Sequence, residues 1–388
     1  MFRILHLSDI HFGRTYKDPT ILACKIASAV CHKLKGSPIN CIVVTGDVFD
    51  GRRLNDEKSN AKLVDIAVSF FQRLRYEINE IQGEISLDDQ DVIIVPGNHD
   101  IIRESGKNTF SLFHAFLDKY QGDNNKGLPE FYVGAKGCSA CPADWEPLFL
   151  KLYDRPHKVA IIGFNSAQFT QRPLEQDILK NIESQLTEEK CRAEKVDRVS
   201  VIQLLRSANL HRDDTHGFIT TSQFNRIDNI LNTWHKELSD YTPVVLFHHH
   251  FFLFPELTDQ VGMDNIISNH SDVLQELMLR KIDIVLHGHK HFALERPLML
   301  NNYLPDSKDN PEGPSKRETF SSVEVFSAGS VGARDISEHT FGVLDLFEET
   351  DEKKLIYHKF TYRNEHLEPI TKTTVLRKGP SERLVEYE

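Results

Sequence analysis

Short apolar runs recur along the chain, and polar residues follow each of them. The first runs show no polar alternation, which is typical of strands that are buried on both faces. Helical patterns separate the runs: Asp18 and Pro19 suit the N-cap and first position of a helix, and an amphipathic pattern covers about 59–82. This alternation predicts parallel strands flanked by helices. The first three predicted strands are 4–7, 41–45 and 92–95.

Later parts of the chain are less regular. We predict insertions at about 104–157, with one helix near 109–120, and at about 171–238, which is charged and mostly helical. Ser271 is the predicted N-cap of a further helix. Because the polar motifs described below must converge on one site, we expect a single catalytic domain over 1–368, followed by a polar C-terminal tail or partner arm at 369–388. The remaining predicted strands are 159–164, 243–247 and 282–286, with closing antiparallel strands at 321–326, 341–346 and 354–362.

Composition narrows the class of protein. The 388 residues are 40% hydrophobic, which is enough for one large domain with a substantial core. A formal net charge of −11 gives no basic footprint for non-specific nucleic-acid binding. The N-terminal apolar stretch is too short for a signal peptide, and no run reaches the roughly 18 apolar residues of a membrane span. We therefore expect a cytoplasmic protein without membrane contact.

Five polar motifs follow apolar runs. They are DIH (9–11), GDVFD (46–50), GNHD (97–100), HHH (248–250) and GHKH (288–291). Each alone is common in ordinary turns. All five in series indicate a metal site, because ligands collect beyond the carboxyl ends of strands in open α/β sheets. Their carboxylate, amide and imidazole groups suit Mn, Fe, Zn or Ni.

Spacing gives a first idea of how these side chains are arranged. Asp9 and His11 are two residues apart, so on extended backbone they face the same way and can reach one ion. The carboxylate of Asp47 has two oxygens and can bridge two ions. His99 directly follows Asn98, and neighbours on extended backbone diverge, so His99 is poorly placed to bind the same metal as Asn98.

In this order, the five motifs resemble those of the calcineurin-like metallophosphoesterase family. The resemblance implies an α/β fold, a four-layer sandwich of two mixed β-sheets flanked by helices. It also implies two divalent metal ions, for which we favour Mn, with Fe, Zn and Ni open, and it makes Asp47 the bridging ligand. The implied ligands are Asp9, His11, Asp47, Asn98, His248, His289 and His291.

The same resemblance suggests roles around the metals. His248 is the expected ligand of the histidine triplet because it comes first after the apolar run, with His249 or His250 as the runner-up. His99 would face the substrate as general acid or hydrogen-bond donor, which suits histidine near neutral pH. Such a histidine needs an orienting carboxylate. Asp50 is the expected one, and Asp100 is either the alternative or a residue that fixes its own loop.

Three further residues are candidates for substrate binding. Arg14 and Arg52 lie just beyond two motifs and could bind a phosphate, although a solvated surface position is the more common situation for such arginines. Asn165 follows the predicted strand 159–164, where it could contact substrate or serve equally well as a turn residue.

The resemblance implies hydrolysis of a phosphodiester, in which a hydroxide that bridges the metals attacks phosphorus. LHGHKH (286–291) and NSA (165–167) resemble class III cyclic-nucleotide phosphodiesterases. DIHFG (9–13) and GDVFD resemble the exonuclease subunit of bacterial double-strand-break repair complexes, which would make the chain a Mn-dependent DNA nuclease with an ATPase partner protein. A protein phosphatase is disfavoured, because Gly51 and Arg52 follow Asp50 in the wrong order. A non-catalytic metal-binding scaffold subunit is a further alternative. The presence of all expected ligands and of His99 counts against it.

Overall fold

The computed structural model describes most of the region that carries the motifs. The described residues are 1–13, 18–50, 57–83, 87–104, 107–121, 149–167, 183–187, 197–202, 216–251, 266–289, 298–299, 323–332, 339–349, 352–363, 366–367, 372–378 and 383–387. Arg14, Arg52 and His291 lie outside these residues, so the roles predicted for them stay predictions.

Apolar strands and amphipathic helices form where the patterning predicts them. The described helices are α1 (Pro19–Lys33), α2 (Glu57–Gln82), α3 (Ser111–Gln121), α4 (Thr221–Thr233) and α5 (His270–Leu279). The strands are β1 (Phe2–Leu7), β2 (Cys41–Thr45), β3 (Val92–Val95), β4 (Ile102–Glu104), β5 (Lys107–Thr109), β6 (Phe149–Tyr153), β7 (Val159–Gly163), β8 (Thr242–Leu246), β9 (Ile284–His287), β10 (Leu298–Met299), β11 (Glu324–Ser327), β12 (His339–Glu349), β13 (Glu352–Arg363), β14 (His366–Leu367), β15 (Lys372–Lys378) and β16 (Arg383–Tyr387).

Two mixed sheets form the centre of the fold. The first has the order β16-β15-β13-β12-β1-β2-β3, with β14 paired to β13, and the second has the order β10-β11-β9-β8-β7-β6. Parallel pairing joins β1 to β2 and β2 to β3 in the first sheet, and β7 to β8 and β8 to β9 in the second. The carboxyl ends of these parallel strands therefore share one edge in each sheet, as the motif order predicts.

The side chains of the second sheet divide between two cores. Val244 and Leu246 of β8 belong to the inner core, which the two sheets share with α1, α2 and α3. Val245, between them, belongs to the outer core, which packs against α4 and α5. This alternation follows from the two-residue period of a strand. Burial on both faces explains why the strand shows no polar alternation, and it confirms the predicted sandwich of two mixed sheets flanked by helices.

The helix ends test the capping predictions. Asp18 caps α1 as predicted, and its carboxylate accepts the backbone N–H of Thr20 at 2.9 Å. The prediction that Ser271 caps α5 is wrong, because the N-cap is Asn269. The side chain of Asn269 makes no cap hydrogen bond and instead pairs with the backbone N–H and C=O of Ile219. A long-range contact has thus taken the side chain of the residue that stands at the N-cap. Among the described helices, none combines the length and the apolar character of a membrane span.

The closing strands differ from the sequence-based expectation in two respects. The strand near 321–326, expected to be antiparallel, is β11, which pairs antiparallel with β10 but parallel with β9. The segment 369–388, expected as a tail, contributes β15 and β16, which extend the first sheet by antiparallel pairing from β13. The division into a domain and a tail at residue 368 stays a prediction.

A buried ion pair fixes β1 to β12 at the sheet end opposite the motifs. The Arg3 guanidinium donates two hydrogen bonds to the Asp345 carboxylate, at 2.6 and 2.7 Å, and the two side chains are 5% and 3% exposed. Burial alone would raise the pKa of Asp345, but hydrogen bonds from Arg3 and His358 outweigh it and lower the pKa. Arg3 also donates to the carbonyls of Leu34 and Ser37, after the end of α1.

We expect Asp345→Asn to lower the free energy of unfolding by about 3–5 kcal/mol, because it leaves the Arg3 charge buried without its partner. Urea denaturation of the metal-free protein measures this. Asp65→Asn is the matched control, since Asp65 pairs with Lys119 on the surface at 57% exposure and should change stability little. Equal losses in the two variants would contradict the role of the buried pair.

Candidate metal centre

The five motifs meet at the edge where the carboxyl ends of the parallel strands from both sheets come together. Backbone hydrogen bonds join the first two loops: the N–H of Asp9 donates to Gly46 O and the N–H of His11 donates to Asp47 O, each at 3.0 Å. Side chains join the two sheets. His248 Nδ1, after β8, lies 2.7 Å from Thr45 O at the end of β2, and the backbone N–H of His289 donates to Asp9 Oδ2 at 2.9 Å.

Left-handed backbone turns the motif side chains toward one another. The φ angles are 51° at Asp9, 53° at His11, 55° at Asp47 and 78° at His289. The expectation that Asp9 and His11 lie on extended backbone is therefore wrong, although the two side chains do converge, with His11 Nε2 3.8 Å from Asp9 Oδ1. A non-glycine residue in this region costs about 1–2 kcal/mol, and such residues cluster at functional sites.

One oxygen, Asp47 Oδ2, lies at the centre of the arrangement. It is 3.3 Å from His248 Nε2, 3.8 Å from His11 Nε2 and 3.9 Å from His99 Nε2. Two groups of side chains have ligand atoms close enough to hold a metal ion: His11, Asp47 and His99 form one, and Asp47, His248 and His289 form the other. Asp47 belongs to both groups. The predicted bridging carboxylate therefore lies where two neighbouring ions would share it.

The chemistry of these atoms fits a pair of cations. Asp47 Oδ2 is buried, and His248 Nε2 lies 3.3 Å from it. Asn98 Oδ1 is 3.0 Å from His248 Nε2 and 3.2 Å from His289 Nδ1, and these two nitrogens are 3.0 Å apart. Positive charge shared between these closely spaced oxygen and imidazole atoms would stabilise them. The residues present therefore suit the metals that the motifs imply.

The pKa values of Asp47 and His248 in the metal-free chain reflect the same preference for positive charge at the centre. Burial alone would raise the pKa of Asp47, but the imidazoles of His248, His99 and His11 outweigh it and hold that pKa well below its usual range. Burial alone would lower the pKa of His248, yet Asp47 and Asp9 raise it to about 9. Without a metal, a proton on His248 thus supplies the missing positive charge. Metal binding must displace that proton, because a ligand imidazole is neutral.

Comparison with known proteins identifies the family of this chain. Residues 2–293 match the family model of the calcineurin-like phosphoesterases. The chain belongs to this family. No curated protein matches its sequence. Among solved structures it is similar to a single mutant of Vps29 from Entamoeba histolytica, with 9% identity, a TM-score of 0.30 and 99% of each chain covered. It is also similar to phosphopantetheinyl hydrolase from Mycobacterium tuberculosis, with 11% identity, a TM-score of 0.31, and 85% of this chain and 89% of that chain covered.

His99 lies at the edge of the centre in this family member. Its Nδ1 is 3.5 Å from Asp50 Oδ1, and its ring meets that of His11 edge-on at 4.9 Å. We expected His99 to diverge from the metal of Asn98. Asn98 Oδ1 lies beside His248 and His289, whereas His99 is grouped with His11 and Asp47. His99 is nevertheless within ligand distance of His11 and Asp47, which the sequence did not suggest. The 3₁₀ turn Asn98–Asp100 causes this, because the N–H of His99 donates to Asp47 Oδ1 at 2.8 Å.

Asp100, the alternative orienting carboxylate, fixes two loops. It accepts the backbone N–H groups of Gly97, Phe49 and Val48, at 2.8, 2.8 and 3.3 Å. Burial, and then the charge of Asp47, raises the pKa of Asp100 to about 7. Asp50 is therefore the carboxylate near the His99 ring, and Asp100 joins the GNHD loop to the GDVFD loop.

Asn165 and two serines complete the surroundings. Asn165 Oδ1 accepts the N–H of Ala167 at 3.0 Å, so Asn165 forms a turn, and its predicted contact with substrate stays a prediction. Sequence reasoning missed Ser8, which donates to Asp9 Oδ2 at 2.5 Å, and Ser166, which contacts His249 Nδ1 at 2.8 Å. Their one signal was position, since Ser8 precedes the first motif and Ser166 follows Asn165.

We expect Gly97→Ala to lower the metal content of the protein. A methyl group at Gly97 would lie 2.2 Å from Asp47 Oδ1 and 2.4 Å from Asp47 N, which must displace the shared carboxylate. Metal analysis after Mn loading measures the effect. Gly36→Ala is the control, because its added methyl group meets no atom within 4 Å; its φ of +100° adds backbone strain that Gly97, with a φ of −109°, does not have. Unchanged metal content in Gly97→Ala would contradict the central position of Asp47.

We also expect His6 to make the free energy of unfolding decrease as the pH is lowered. His6 lies beneath the site, and its Nε2 is 2.9 Å from Thr45 Oγ1. Burial, and then the charge of His287, lowers the pKa of His6 to about 3. Its unfolded pKa is about 6.5. The unfolded chain therefore binds the proton first, so this contribution is complete above pH ~6.5 and is lost as pH falls toward 3, at up to about 1.4 kcal/mol per pH unit.

Urea denaturation in EDTA between about pH 5 and 7 should show this slope in the native sequence and a shallower one in His6→Gln. His32→Gln, at an exposed position of α1, should keep the native slope. Parallel slopes in the native protein and His6→Gln would refute the assignment to His6.

Proposed function

We propose that this member of the calcineurin-like phosphoesterase family is a phosphodiester hydrolase that depends on two divalent metal ions and acts on a nucleotide-type substrate. The observation that carries the proposal is that Asp47 belongs to two ligand groups at once. A carboxylate shared in this way is what a two-metal phosphoesterase site requires.

In the proposed centre, one metal is held by Asp9, His11 and Asp47, and the other by Asp47, Asn98, His248 and His289. His291, outside the described residues, is proposed as a further ligand of the first metal. The mixture of oxygen and nitrogen ligands supports Mn and is compatible with Fe, Zn or Ni. When bound, such ions supply Lewis acidity, which lowers the pKa of water and neutralises charge on a phosphoryl group.

The chain's own groups supply positioning and proton transfer. Ser8 and the N–H of His289 hold Asp9 Oδ2, and the N–H of His99 holds Asp47 Oδ1, so both carboxylates keep their second oxygens directed at the centre. We assign His99 the role of donor to the oxygen of the leaving alcohol. Its Nδ1 lies 3.5 Å from Asp50 Oδ1, a contact that would orient the ring.

We expect His99→Ala to lower kcat by about 10²–10⁴-fold on bis-p-nitrophenyl phosphate. Asp50→Asn should lower kcat less, because the donor imidazole itself is kept and only the carboxylate that orients it is lost. Both variants should keep the metal content of the Mn-loaded native protein. His32→Ala, on the exposed face of α1, is the matched control and should retain native kcat. Native activity in His99→Ala, or loss of metal from it, would refute the assigned role.

The same preparation separates the substrate classes. Cyclic AMP and end-labelled single- and double-stranded DNA are assayed beside the model diester. Turnover of cyclic AMP without DNA cleavage, abolished in His99→Ala, is the expected result. DNA cleavage abolished in the same variant would instead support a nuclease that works with an ATPase partner. Bound metal without hydrolysis of any of these diesters would support the scaffold alternative and overturn the proposed function.

A further inference from the structure

The second residue of the histidine triplet, His249, is buried beside the metal centre but belongs to neither ligand group. Its ring centroid lies 4.6 Å from that of His289 and 5.1 Å from that of His248. Its Nδ1 lies 2.8 Å from Ser166 Oγ, whereas its Nε2 is buried and has no hydrogen-bond partner among the described residues. Any further polar contact of this side chain must therefore be made by Nε2.

The hydrogen bonds at Ser166 determine which nitrogen of His249 carries the proton. Ser166 Oγ accepts the backbone N–H of His248 at 3.2 Å and that of His249 at 3.3 Å. A hydroxyl has two acceptor lone pairs and one hydrogen to donate. Both lone pairs are in use, so the hydroxyl donates its hydrogen to His249 Nδ1. The neutral ring then carries its own hydrogen on Nε2.

Packing against Gly217 closes one edge of the His249 ring and leaves Nε2 on the other. A methyl group at Gly217 would lie 2.6 Å from His249 Cγ and 2.8 Å from His249 Nδ1, so the Gly217 backbone closes the ring edge that faces Ser166. Nε2 is on the opposite edge of the ring, whose centroid lies 4.6 Å from that of His289. A protonated Nε2 has no lone pair for a metal. A buried donor without a partner is costly, and a purely structural aromatic residue would avoid that cost.

We propose that His249 binds the substrate by donating its Nε2–H to a non-bridging phosphoryl oxygen. This inference rests on the proposed function, because it requires a phosphate group at the metal centre. An oxygen that carries negative charge is the partner for which a buried neutral donor gains most. His248 and His249, although adjacent, thus have different roles, one as metal ligand and the other as phosphate donor.

The test compares His249→Gln with His249→Met in the zinc-loaded protein. Glutamine places an N–H donor near the position of Nε2, and methionine has a similar length without a donor. Binding of inorganic phosphate is measured by calorimetry, with metal content measured in parallel. We expect phosphate to bind His249→Met about tenfold or more weakly than the native protein, and His249→Gln to recover most of the loss, at equal metal content. With bis-p-nitrophenyl phosphate, the loss should appear mainly in KM.

Equal phosphate affinities in the two variants would overturn the proposal, and so would loss of metal from His249→Met alone. A ¹H–¹⁵N spectrum of the zinc-loaded native protein gives a reading that needs no variant to fold. The imidazole signals of His249 should show hydrogen on Nε2, and hydrogen on Nδ1 would overturn the proposal. Absence of phosphate binding by the native protein would also overturn it. Phosphate binding without hydrolysis of any diester would overturn only the proposed function.

Discussion

The structure depends on holding several ligand atoms around one buried carboxylate oxygen, Asp47 Oδ2. Three imidazoles from three different loops approach it within 3.9 Å, and Asn98 Oδ1 lies next to two of the nitrogens. A collection of acceptors in a dry site is unfavourable until a cation or a proton joins it. This explains why the metal-free chain raises the pKa of His248 to about 9. It also explains why the loops must be rigid, since relaxed loops would separate these atoms.

The rest of the fold supplies that rigidity. Left-handed backbone at Asp9, His11, Asp47 and His289 costs energy locally, and it persists only where the surroundings determine it. Here the loops hold one another: Asp100 accepts three N–H groups from two loops, and Gly97 packs directly on Asp47. Behind the loops, strands buried on both faces join the inner and outer cores. The stability gained by this burial offsets the strain at the strand ends.

What the sequence predicted was local, and what it missed was long-range. β1, β2 and β3 were predicted from apolar runs, with bounds within two residues, and the Asp18 cap follows from one side chain and one N–H. By contrast, Asn269 is engaged by Ile219 from another segment, β15 and β16 depend on the edge that β13 offers, and Ser166 acts through a loop some eighty residues later. The motif order could predict convergence on one site, but the left-handed turns that produce it leave no local signal in residues such as Asp9 and His11.

The histidine triplet shows why residue identity alone could not assign the site. His248 Nδ1 meets the carbonyl oxygen of Thr45, which only accepts, so His248 must carry hydrogen there and its Nε2 is the atom that faces Asp47. His249 Nδ1 meets a hydroxyl whose lone pairs are already used, so its hydrogen lies on Nε2. The partner of one ring nitrogen therefore decides the chemistry of the other. Adjacent histidines therefore acquire different roles, because the residues after β8 contact Thr45 from the first sheet and Ser166 from the second sheet.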